Sequence, residues 1–163
     1  MMLGLSLDTF TLLHTIIGLI GIVSGAAVVV AMLGARTAEG LNVLFLLSTV
    51  LTSVTGFMFP FNGVLDSHVV GAVSLAVLAV ALLARYGFRL RAAWRWIYVV
   101  TALLALYLNV FVGVVQAFQK VAVLNRLAPA RSDPAFIAVQ VAVAAIFLWL
   151  GALALRRFHP ARG

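Results

Sequence analysis

Residues 9–35, TFTLLHTIIGLIGIVSGAAVVVAMLGA, run for 27 positions without a charged side chain between Asp8 and Arg36. An α-helix rises about 1.5 Å per residue and a hydrocarbon core is about 30 Å thick, so this stretch is long enough to cross a bilayer. Four more stretches follow. Glu39 to Asp66 encloses 26 uncharged residues, Asp66 to Arg85 18, Arg95 to Lys120 24 and Asp133 to Arg156 22. None alternates polar with apolar residues, and lipid offers backbone groups no outside partner, so each is read as a helix. The expected spans are about 10–34, 41–60, 66–85, 94–120 and 134–156. The fold class expected is all-α: a polytopic bundle of five transmembrane helices, with residues 1–163 forming a single transmembrane domain.

Composition agrees with that class. Hydrophobic residues make up 65% of the chain and charged residues 9%, with a mean hydropathy of +1.21. A soluble domain carries about 25% charged residues, and this chain has too few to cover a water-facing surface. The absence of cysteine excludes disulfides, Fe–S ligation and thiol–quinone chemistry. MMLGLSLD has no basic n-region and the apolar run after it is too long for a signal h-region, so no cleavable leader is expected. Neither end carries a lipidation pattern.

The connectors are short. ARTAEG joins the first two helices; Pro60, Asn62 and Gly63 are expected to end the second, and Asp66-Ser67 to cap the third. LAPARSDP breaks the chain before the fifth. Orientation follows from Lys and Arg in these loops. One side holds Arg36, Arg85, Arg89, Arg91, Arg95, Arg156, Arg157 and Arg162; the other holds Lys120, Arg126 and Arg131. Eight against three puts the N-terminus outside and the C-terminus in the cytoplasm, in a bacterial inner membrane. Trp94, Trp96 and Tyr98 then fall at a cytoplasmic aromatic belt. The loop RYGFRLRAAWR is basic with interleaved aromatics; between two spanning helices its expected partner is anionic lipid headgroups, not nucleic acid.

Polar residues inside the spans are where function is sought. His14, Gly18, Gly21 and Gly25 share one stripe of the first helix. Glycines there serve close helix packing, and a histidine in lipid is either interhelical glue or a ligand to haem or metal. His68 opens the third helix, with Gly71 on the same face. Helical rise puts His14 about 9 Å and His68 about 3 Å deep in the same leaflet. Tyr98, Ala105, Asn109, Gly113, Gln116 and Lys120 share a face of the fourth helix, and Gln140 lies two turns into the fifth. An amide near the midplane needs partners, so the fourth helix must turn this face inward. Ser48, Thr49, Thr52, Ser53 and Thr55 crowd the outer half of the second helix. The segment QKVAVLNRLAPAR, 119–131, has an apolar side fit to cover a pocket or dock a partner.

In chain length and helix number the sequence resembles the tryptophan-rich sensory proteins, without their Trp- and Pro-rich motifs. Retinal proteins have more helices and a lysine deep in the last one, unlike Lys120. The His14–Gly18–Gly21–Gly25 helix and the following His68 resemble cytochrome b561-type haem bundles. Such two-haem proteins use four ligands, and here two histidines lie in the membrane. LYLNVFVGVVQAFQK, residues 106–120, and the LAP after it are similar to small bacterial five-helix inner-membrane proteins, a resemblance that implies no activity.

The functional expectation is a non-catalytic binding or accessory subunit. His14, Asn109, Gln116, Lys120 and Gln140 would form a pocket in the outer leaflet for a lipid-like or quinone-like molecule or a partner helix. No catalytic residue and no metal site is assigned, because no acid lies inside a span and no nucleophile–base pair is evident. One alternative is electron transfer through haem b held by His14 and His68. Another is a structural membrane protein, packed through Gly18, Gly21 and Gly25 into a homo-oligomer or against other membrane subunits.

Overall fold

The computed structural model describes residue 4, residues 6–59 and residues 66–159, with the backbone alone described for Asp66 and Ser67. Its regular elements, among the described residues, are all helical. In chain order they are α1 (Leu7–Leu33), α2 (Glu39–Gly56), α3 (Asp66–Leu82), a π-helical turn (Leu83–Gly87), α4 (Trp94–Lys120), α5 (Ala122–Leu127) and α6 (Pro134–Arg157). Five helices are long and apolar enough to cross a membrane, the number expected; the third runs through the π-turn to Gly87.

Local chemistry explains several of the ends. The Ser6 hydroxyl accepts from Thr9 N at 3.2 Å and caps α1. Pro134 opens α6, where its missing N–H costs nothing. α2 stops at Gly56, four residues short of the expected end. There the chain turns so that the Phe59 ring packs edge-on against Phe10 at 5.1 Å and His14 at 5.2 Å, while Phe57 packs against His68 at 5.7 Å. Pro60, Asn62 and Gly63, and any capping by the side chains of Asp66 and Ser67, lie outside the described residues, as does Arg162.

α1, α2, α3 and α4 form a ring in which each helix packs on the next and α4 returns to α1. α6 lies outside the ring against α4 and, more sparingly, α1. Its outward side chains, among them Val141, Leu148 and Trp149, are 62%, 76% and 62% exposed, which makes it the most peripheral span.

The two halves of the ring differ. The main core is built from the end of α1 (Val28, Val29, Met32), the start of α2 (Phe45, Leu46), the end of α3 (Leu78, Ala81) and the first half of α4 (Tyr98 to Leu106). This closely packed half carries the Arg-rich loops. The other half, where α1 begins and α4 ends, holds a smaller cluster of Val115, Phe118, Ala128 and Phe136. Tyr98 is 1% exposed and belongs to the core, so it is not part of an aromatic belt. Trp96 is half exposed, and Trp94 stacks flat on Phe88 at 3.8 Å.

Candidate functional site

The glycine stripe of α1 measures how the two halves diverge. A Cβ on Gly25 would lie 2.6 Å from Leu106 and 2.8 Å from Phe45. On Gly21 it would lie 2.9 Å from Asn109 Nδ2, and on Gly18 no closer than 3.5 Å to anything, so contact loosens steadily toward the start of α1. The stripe therefore faces α2 and α4 of its own chain.

Beyond Gly18 the two antiparallel helices α1 and α4 enclose a cleft of about 440 Å³. α1 lines it with Thr11, His14, Thr15, Gly18, Leu19 and Ile22, and α4 with Asn109, Val112, Gly113, Gln116, Ala117 and Lys120. Thr52, Gly56, Phe59 and His68 complete the wall. Thr15 and Leu19 on one lip and Gln116 and Lys120 on the other are exposed, so the cleft opens on the side of the bundle. Polarity is graded along it. Thr11, His14, Thr15, Gln116 and Lys120 gather at the helix ends, whereas the inner wall is mainly apolar (Ile22, Val112, Gly113), with Thr52 and Asn109 as its polar members.

One tautomer of His14 makes all the hydrogen bonds around it at once. Thr55 Oγ1 donates its single proton back along α2 to the Leu51 carbonyl, at 2.7 Å. His14 Nδ1 lies 2.8 Å from the same oxygen, and both bonds are made together when Nδ1 carries the hydrogen and donates. Nε2 is left with a lone pair and no hydrogen-bond partner among the described residues, on a side chain that lines the cleft.

Of the residues expected to form a pocket, His14, Asn109, Gln116 and Lys120 line this one cleft, and His68 joins them. Asn109 Nδ2 reaches the Gly18 carbonyl at 3.4 Å and sits at the cleft's narrow end. Gln140 is elsewhere. It is 9% exposed and its Nε2 donates to the Phe111 carbonyl at 3.3 Å. Phe111 is two residues beyond Asn109, about 200° around α4, so α6 packs on a different face of α4 from the cleft. α5 supplies no lining residue; Val123 and Leu127 are 74% and 65% exposed. The hydroxyls of Ser48, Thr49, Thr52, Ser53 and Thr55 all donate one turn back to carbonyls of α2. Among the described residues, only Ser53, to Ser74, and Thr55, to His14, also bridge helices.

At the opposite end of the ring lies a polar network that the sequence reading missed. Glu39 pairs with Arg85 and accepts from Tyr86 Oη at 2.9 Å; Asn42 Nδ2 donates to that same Tyr86 oxygen at 3.1 Å, and Tyr98 Oη donates to Asn42 Oδ1. The Arg85 guanidinium stands 5.5 Å over the Tyr98 ring. The π-turn brings Arg85 and Tyr86, adjacent in sequence, onto the same partner. The available signal was Glu39 and Asn42 at helical i, i+3 spacing, facing one Arg-Tyr pair.

Comparison with known protein families, curated proteins and solved structures finds no match to this chain.

Proposed function

We propose that this chain is a multi-pass protein of the bacterial plasma membrane that holds an amphiphile in the α1–α4 cleft, as a non-catalytic binding or accessory subunit. The observation that carries this reading is the graded lining: polar groups gather at the helix ends, a mainly apolar trough runs inward as far as Asn109, and the side is open along the helices. A molecule with a polar head and an apolar tail, lipid-like or quinone-like, matches that gradient. The volume falls within the range of about 300–1,000 Å³ of small-molecule pockets. The excess of arginine near the core-packed end supports a cytoplasmic placement of that end, with the N-terminus outside and the cleft in the outer leaflet.

Native mass spectrometry of the full chain released from lipid nanodiscs tests the reading. One bound amphiphile per chain is expected. Gly113→Leu should abolish it, because a side chain there projects toward Ile22 across the cleft. Equal occupancy in wild type and variant, or none in either, would refute it.

One observation favours a second reading. His14 and His68 line the same cleft, and His14 is held by Thr55 with Nε2 unpartnered among the described residues, as a metal-ligating imidazole is held by its outer partner. Haem b between the two would then serve electron transfer. His68, at 7% exposure behind Phe57, stands less open to an iron than His14 does. A Soret band in the purified protein, lost in both His14→Ala and His68→Ala, would put haem in place of the amphiphile; a colourless preparation ends it.

A further inference from the structure

The polar end of the cleft holds two complementary groups. Lys120 lines it as the sole cation and makes no ion pair among the described residues. Glu39 is paired with Arg85 at the far end of the ring, and neither Asp8 nor Asp133 lines the cleft. Asp133 accepts instead from the Ala130 amide at 2.7 Å. An ammonium beside lipid with no carboxylate among the described residues of its wall favours an anionic headgroup, because the surrounding low dielectric strengthens the attraction.

His14 adds a second requirement. With Nδ1–H committed to Thr55, Nε2 offers a lone pair and accepts only from a donor. A bare anion gives that nitrogen nothing, and a neutral quinone has no proton to donate. A headgroup carrying both a negative charge and a hydroxyl satisfies both side chains.

Resting on the amphiphile reading, we infer that the cleft selects an acidic, hydroxyl-bearing headgroup, such as a glycerol phosphate ester, with Lys120 as counter-ion and His14 as hydroxyl acceptor. The same headgroup chemistry occurs in a membrane phospholipid and in a free phosphate ester, and the apolar trough favours the former.

The experiment titrates the full chain in detergent with phosphatidylglycerol, phosphatidic acid, phosphatidylcholine, a decyl-tailed benzoquinone and water-soluble glycerol 3-phosphate. Cleft binding is read by native mass spectrometry as the part removed by Gly113→Leu. Phosphatidylglycerol should bind about tenfold tighter than phosphatidylcholine, the scale of one charge-assisted contact. Lys120→Gln should erase that preference and Lys120→Arg should keep it. His14→Phe, which retains a ring beside Phe59, should erase only the preference for phosphatidylglycerol over phosphatidic acid. Glycerol 3-phosphate binding as well as the phospholipid would identify the free ester as the source. Equal binding of phosphatidylcholine or the quinone overturns the headgroup assignment and leaves the amphiphile reading standing. No Gly113-sensitive binding of any probe overturns both.

Discussion

At the scale of the residue, the tightest constraint on the fold is a missing side chain. Gly25 has Leu106 and Phe45 where its Cβ would be, whereas Gly18 has only ordinary contacts. Gly25→Ala should therefore lower the thermal unfolding midpoint in detergent, by about 1–3 kcal/mol of overpacking, and Gly18→Ala should leave it nearly unchanged. Equal effects at the two positions would contradict the divergence of α1 and α4. Asn42 is the other sensitive residue, at 2% exposure between Tyr86 and Tyr98. Asn42→Leu leaves the Tyr98 hydroxyl buried without its acceptor and should cost about 1–3 kcal/mol. Adding Tyr98→Phe should restore part of that loss, a coupling measured by a double-mutant cycle. The glycine stripe was legible in the sequence because small residues at helical spacing have one principal use in lipid. Asn42 was not, because its partners lie 44 and 56 positions away and no local spacing announces them.

At the scale of the element, the end of the third span departs most from a plain helix. Phe88 N donates to the Leu83 carbonyl at 2.9 Å, the i to i+5 bond of a π-turn, and the extra residue aims Arg85 and Tyr86 together at α2. The sequence marked a third span by charge spacing alone, and spacing says nothing about how a turn is wound. Gln140 shows the same limit. It was grouped with the outer-leaflet polar residues by depth, but depth does not specify which face of α4 the last helix covers. That helix is held at its end by Arg95, whose Nη1 donates to the Phe158 carbonyl at 2.6 Å. Arg95→Gln should raise hydrogen exchange across residues 154–159 by about tenfold or more while leaving α2 protected, since the charge-assisted bonds of Arg95 to the Phe158 and Leu155 carbonyls tether that terminus. Unchanged exchange there would show that packing on α4 and α1 holds α6 without Arg95.

At the scale of the whole molecule, the bundle is packed at one end and open at the other. The number of spans was legible because five uncharged runs are each long enough to cross lipid. The cleft was legible only as a gathering of polar residues in one leaflet, since its volume depends on two helices separating beyond Gly18. Orientation has a direct test because the chain contains no cysteine. In intact cells Leu127→Cys should react with an impermeant maleimide, and Arg91→Cys only after permeabilisation; the reverse pattern would invert the topology. The claim that most needs a measurement is that the open end holds an amphiphile between α1 and α4. A photoactivatable phosphatidylglycerol, cross-linked to the full chain in nanodiscs and mapped by peptide mass spectrometry, measures this. The prediction is labelling concentrated on residues 11–22 and 109–120 and suppressed by Gly113→Leu. Labelling spread as densely over the exposed side of α6, around Val141 and Leu148, and indifferent to that substitution would contradict it.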